Sequence, residues 1–186
     1  MPRFKFKNLF IPIALIVICY SCINNDDNEP KDYSQWKVSN QDFINAAEKE
    51  TIDGKLKFEK IIPDWDKSIF ALIKWHNDKS VNAAGLVPLS NSTVDIKYIL
   101  SNINGDTLDS SSHFRCRPNN LISGFWLALT QMHEGDSVTA VLPYIAGYGE
   151  NGFGNIPPYS TLIFDIKLDS IVAFDKLPWR LAETGE

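Results

Sequence analysis

The run TLIFDIKLDSI, residues 161–171, sets Leu162, Phe164, Ile166 and Leu168 at every second position, with Asp165, Lys167 and Asp169 between them. Side chains alternate across a strand, so this segment has one apolar face and one wet face. The same period recurs in SIFALIKWH (68–76), where Ile69, Ala71, Ile73 and Trp75 share a side. It recurs again in VDIKYIL (94–100), with Val94, Ile96, Tyr98 and Leu100 together, and in DSVTAVLP (136–143). One-sided alternation marks antiparallel strands covered on a single face. Only NLISGFWLALTQMHEGD (120–136) breaks the period: Ile122, Phe125, Leu129 and Met132 fall on one helical stripe, and Gly135 ends it. Several antiparallel strands around one short helix make an α+β domain.

The first residues read as an export signal. Arg3, Lys5 and Lys7 form a basic start, and LFIPIALIVICY (9–20) is apolar but shorter than the ~20 residues of a membrane span. CYSC follows and resembles a bacterial lipobox, which makes Cys22 the lipidated first residue of the mature chain. A plain signal peptide or a short uncleaved anchor is the alternative. INNDDNEPKDYSQ carries too little apolar surface to pack and reads as a tether. Loss of residues 1–21 removes three positive charges and takes the formal net charge from −5 to −8. No basic stripe remains to attract a phosphate backbone, so nucleic-acid binding is not expected. Cys19 leaves with the signal and Cys22 carries lipid, so Cys116 is alone and an internal disulfide is excluded.

The organisation expected is a signal at 1–21, a tether at 22–34, a helical extension at 35–66, a strand-rich domain at 67–172 and a tail at 173–186. In the extension, SQWKVSNQDFINAAEKE (34–50) has helix composition, with Ser39 or Asn40 as the expected cap and Trp36, Phe43 and Ala47 near one face. Residues 51–66, punctuated by Gly54 and Pro63, read as irregular.

Gly147-x-Gly149-x-x-Gly152 has the spacing of a dinucleotide fingerprint. Such a site needs the glycines to open a helix, whose N-terminus holds the phosphates. Here Pro157-Pro158 lead into another strand, so the motif reads as a turn and a close-packed loop. No cofactor is expected. His76, His113 and His133 lack ligand spacing and read as surface residues, so no metal is expected either.

GYGENGFGNIPPYSTLIFDIKL (147–168) resembles the C-terminal signature of FKBP-type peptidyl-prolyl isomerases, in which a Tyr-Gly turn, a flap, Ile-Pro-Pro and an alternating last strand follow in that order. NLISGFWLALTQMHEGD is similar to that family's Val-Ile-x-Gly-Trp helix with its Met-x-x-Gly-Asp ending. GDTLDSS (105–111) is similar to its Gly-x-x-Phe-Asp-Ser-Ser segment. The leading helix and lipobox resemble a Bacteroidetes lipoprotein branch, and the Asn/Asp-rich tether resembles that group's surface-export signals, although a solvated linker reads the same way.

The resemblance implies a half-barrel sheet wrapped around the helix and an apolar pocket between them. It assigns Tyr98, Asp109, Phe125, Tyr148 and Phe164 to catalysis, and Leu108, Phe114, Leu121, Ile122 and Ile156 to substrate binding. It further implies a lipid-anchored isomerase of the bacterial cell envelope, at the outer membrane on its periplasmic or surface side. Such a protein would act on proline-containing polypeptides and assist the folding of exported proteins. Three positions depart from the family pattern. Phe125 stands where Trp is usual, with Trp126 about 100° round the helix. Leu108 replaces Phe, and the arginine that pairs with the aspartate has no counterpart in place, leaving Arg115 and Arg117 as candidates. A non-catalytic module that grips proline-containing segments is the alternative function. A homodimer through the N-terminal helix is a further candidate.

Overall fold

The computed structural model describes residues 31–173. The signal, Cys22, most of the tether and all but the first residue of the C-terminal tail lie outside the described residues. Helix α1 (Ser34–Ala47) is followed by a two-stranded hairpin, β1 (Thr51–Ile52) and β2 (Lys55–Leu56). Six further strands form one antiparallel sheet: β3 (Glu59–Ile61), β4 (Ala71–Trp75), β5 (Thr93–Ser101), β6 (Thr107–Cys116), β7 (Ser137–Leu142) and β8 (Leu162–Ala173). Their order across the sheet is β3-β4-β7-β8-β5-β6, with helix α2 (Ser123–Leu129) between β6 and β7 in sequence. This is the expected α+β arrangement of an antiparallel sheet around one short helix.

The period-two segments become strands because each has an apolar partner to face. Ile73, Ala140, Phe164 and Leu100 stand in register across β4, β7, β8 and β5 and form one inward row. Phe125, Ala128, Leu129 and Met132 meet this face from the α2 side, and the three last-named are fully buried. Register shifts in the β5–β6 pairing, opposite Ile96–Tyr98 and Leu100–Ser101, place extra residues in β6 and add local twist to this edge of the sheet. Gly124 lets α2 start hard against the sheet. A Cβ there would lie 2.8 Å from Leu142 Cδ2 and 3.0 Å from the Ala146 carbonyl oxygen.

The outer face is not uniformly wet. Leu72, Val141 and Ile163 are also in register across β4, β7 and β8. They pack with Ile44, Ala47 and Phe58 in a second core, so α1 forms a layer on the sheet's far side. Full burial of an Ile such as Ile44 contributes about 1.5–3 kcal/mol. The extension is therefore part of the domain, and the boundary expected at 67 falls inside the sheet, since β3 pairs with β4 from Glu59 to Ile61. The helix starts at Ser34, five and six residues before the expected caps Ser39 and Asn40, and Asp32 accepts hydrogen bonds from the Ser34 amide and hydroxyl. Asn40 sits in its middle, buried to 1% exposure, and is a docking residue instead of a cap. Among the described residues no helix is long and apolar enough to cross a membrane.

Candidate active site

Between the inner face of β5, β6 and β8 and the start of α2 lies a cavity of about 420 Å³. The strand period delivers Tyr98 and Leu100 from β5 and Phe164 from β8, while Asp109 and Phe114, five residues apart on β6, reach the same face because β6 carries an extra residue between Ser111 and Phe114. Ile122 and Phe125 come from the start of α2, and Asn120 and Leu121 from the 3-10 turn before it. Tyr148 closes the rim from the glycine-flanked turn after β7.

The wall is aromatic. The Phe125 and Phe164 rings meet edge to face at 4.6 Å between centroids, and each is nearly buried. Tyr98 faces both at 6.1 Å and Phe114 at 5.6 Å. Its hydroxyl donates to Asp109 Oδ2 across 2.6 Å, while Asp109 Oδ1 accepts from the Ser110 amide. Burial first, and then the hydrogen bond and charge of Asp109, push the Tyr98 phenol up to about 12, so it remains a donor at neutral pH. Burial and the Asp109 charge also raise the Tyr148 phenol above its ordinary value. Among the described residues no protein group hydrogen-bonds the Tyr148 hydroxyl. Its ring stacks on that of the exposed Phe153 at 5.1 Å and 16°. The rim thus offers one uncommitted donor over an apolar floor.

Eight of the ten site residues named from sequence line this cavity. Leu108 and Ile156 do not: Leu108 is half-buried and packs against the main core, and Ile156 is buried in it, its backbone paired in both directions with Phe153. Leu100 and Asn120 line the cavity without having been named. Leu100 carried a signal, because it lies two residues beyond Tyr98 on the same strand face; Asn120, exposed in a turn, carried none.

Phe125 occupies the floor with no shift of helix register. Trp126 points elsewhere and stacks on Trp65 at 5.2 Å. Arg115 does not serve Asp109. It makes a two-point pair with Asp95, both contacts at 2.8 Å, and so covers a carboxylate that alternation had placed in water. His76 and His113 are exposed as expected, whereas His133 is half-buried beside Asp136. Cys116 is half-buried, and burial pushes its thiol up to about 11, which leaves it unreactive at neutral pH.

A second hollow of about 430 Å³ lies on the outer face, around Lys97, Ile99, Asp165 and Lys167. Three of its charged or titratable side chains are engaged by the lining or by neighbours beside it: His76 with Thr139 at 2.7 Å, Asp165 with Thr139 at 2.6 Å, Lys97 with Asp169 at 3.1 Å. Aromatic enclosure and a free donor belong to the inner cavity, which is a cleft for an apolar ring next to a hydrogen-bond acceptor.

That class of cleft agrees with what the chain resembles. Residues 87–169 match the family model described as FKBP-type peptidyl-prolyl cis-trans isomerase. FK506-binding protein 1 of Saccharomyces cerevisiae is 30% identical over 126 residues, covering 64% of this chain and 95% of the yeast protein. The FKBP-type 22 kDa peptidyl-prolyl cis-trans isomerase of Escherichia coli is 36% identical over 94 residues, 47% of this chain and 45% of that one. A crystal structure of a peptidyl-prolyl cis-trans isomerase from Pseudomonas syringae superposes with a TM-score of 0.63 at 21% identity, over 77% of this chain and 98% of that chain, and shares the fold. The chain belongs to the FKBP-type peptidyl-prolyl cis-trans isomerase family. It spans 45% of the length of the E. coli relative, and 29% and 26% of two other curated relatives.

Proposed function

We propose that this chain catalyses cis–trans isomerisation of X–Pro bonds in polypeptides. The observation that carries the reading is the Tyr98–Phe125–Phe164 cup with the unengaged Tyr148 hydroxyl at its rim. Amide resonance sets the barrier to rotation at about 18–20 kcal/mol. No covalent bond is broken, so the site needs a surface that favours the twisted amide over the planar one. Proline seated against Phe125 and Phe164 removes water that stabilises the polar planar form. The Tyr148 phenol holds the peptide through a carbonyl while the ring side turns. This is differential binding of the twisted state, and a thousandfold acceleration needs about 4 kcal/mol of it. NMR exchange spectroscopy on an X–Pro peptide tests the reading, and well-folded protein without exchange above background overturns it.

Phe125 at the floor favours a second reading, a module that binds proline-containing segments without turnover. Peptide binding with no exchange enhancement is the outcome it expects.

We further propose that Cys22 is lipidated and holds the domain at the bacterial cell envelope, where it assists folding of exported proteins. The basic start, the apolar run and CYSC support this. A Cys22→Ser variant should move from the membrane fraction to the soluble one, and retention in the membrane would refute the anchor. The apolar side of α1 already packs on its own sheet through Ile44 and Ala47. A homodimer through that helix would have to use its outer side around the exposed Val38.

A further inference from the structure

We infer that α1 is a positioning element of the proline pocket: Trp36, Lys37 and Asn40 fix the segment Pro157–Thr161, and through it the turn that carries Tyr148. The inference rests on the isomerase reading of that pocket.

Asn40 is the first reason. Asn is a weak helix former, and a buried amide is costly unless bonded. Here every polar atom of the group has work. Its Nδ2 donates to the Trp36 carbonyl at 2.8 Å, and its Oδ1 accepts from the Thr161 amide at 2.6 Å, 121 residues along the chain. The Thr161 hydroxyl donates back to the Asn40 carbonyl at 3.3 Å. One turn earlier, Trp36 Nε1 donates to Ser160 Oγ at 3.0 Å, and Ser160 donates on to the Pro157 carbonyl at 2.7 Å. Beside them the Lys37 ammonium lies 4.1 Å from the centre of the Tyr159 ring, which meets the Tyr144 ring edge-on at 5.3 Å.

The clamped segment reaches Tyr148 by a short path. Tyr159 holds a left-handed backbone, φ 61°, which a non-glycine residue keeps only where its surroundings impose it. In that conformation its amide donates to the Gly149 carbonyl at 2.9 Å, and Gly149 donates to the Tyr144 carbonyl at 2.9 Å. Tyr148 therefore sits inside a turn pinned at its far side by Tyr159, which α1 pins in turn. The apolar docking of α1, through Ile44 and Ala47 on Leu72 and Val141, lies further along the helix. The polar contacts and the docking face are separable by mutation.

The test is a double-mutant cycle on the full chain, with X–Pro exchange read well below the melting temperature. Asn40→Ala should lower kcat/KM about tenfold in wild type, because loosely held catalytic groups lose rate steeply. In a Tyr148→Phe background the same change should cost less than about twofold, since the group it positions has been removed. Trp36→Phe, which keeps an aromatic ring and deletes the donor, gives a milder version of the same pattern and serves if Asn40→Ala folds poorly. Ile73→Val, a core change on the inner face of β4, lowers stability while leaving kcat/KM unchanged. Equal losses in both backgrounds, or none in either, overturn the positioning role while wild-type exchange stands. Absence of exchange in wild type overturns the isomerase reading and this inference together.

Discussion

The Tyr98 hydroxyl donates to Asp109 Oδ2 across 2.6 Å, from β5 to the neighbouring β6, at the mouth of the aromatic cup. Asp109 thus has a phenol for a partner where the family pattern has an arginine, and Arg115 is held by Asp95. Because the phenol is raised to about 12, its protonated form is favoured in the folded state. The stability this contributes is fully present below the unfolded phenol value near 10 and is lost as pH rises through about 12. Ultraviolet titration should show one tyrosine ionising late, near pH 12, and Tyr98→Phe should abolish that step.

Phe153 should act on substrate and hardly on stability. It is 67% exposed and stacks on Tyr148, so it widens the rim with an aromatic face next to the donor. Phe153→Ala is expected to raise KM several-fold for peptides with a large residue before proline. The unfolding free energy should move by no more than about 0.5 kcal/mol. Equal KM for peptides with Ala and Leu before proline, in both proteins, would remove Phe153 from recognition.

Two flap glycines should respond differently to alanine. Both have positive φ, 68° at Gly152 and 57° at Gly154. Around Gly154 a Cβ meets nothing within 4 Å, and the cost is conformational, about 1 kcal/mol. At Gly152 it would lie 2.8 Å from Pro158 N and closer still to the Ile156 carbonyl oxygen. Gly152→Ala should therefore lose more stability than Gly154→Ala and also disturb the pocket rim, as chemical denaturation and exchange assays would show.

Asp136 contributes to stability in acid. It is fully buried, which pushes its carboxyl up, but Asn82, the His133 amide and Asn77 all donate to it and hold it below the usual carboxylate value. Its contribution is present above the unfolded value near 3.9 and is lost as pH falls through the lower folded value. Asp136→Ala leaves those donors unpaired and should cost about 3 kcal/mol or more. Its acid unfolding profile should be flatter than wild type by thermal melts from about pH 6 to 2.

The inner face was legible in the sequence because one rule, alternation, governs β4, β5, β7 and β8 alike. Tyr98, Phe164 and Phe125 could be placed inside from spacing before any partner was known. The rule failed where a second layer covers the sheet: Leu72, Val141 and Ile163 point outward against α1, and spacing alone cannot say that a distant helix returns to that face. It failed again at Asp95, whose burial depends on Arg115 crossing from β6. Asn40 looked like a cap because its amide suits one. Its actual partner is a backbone amide far along the chain, a long-range relation that local propensity does not encode. The glycine motif was readable in kind, since Gly149 and Gly152 both take positive φ in a loop that leads to a strand.

The central claim is that the pocket turns proline and that Tyr148 helps it do so. The most direct measurement is X–Pro exchange catalysed by the full chain and by Tyr148→Phe, alongside their melting temperatures. Exchange well above background in wild type, reduced about tenfold in the variant at an unchanged melting temperature, is the expected result, in line with loss of one hydrogen bond made in the transition state. Folded wild-type protein that leaves the exchange rate at its uncatalysed value would contradict it.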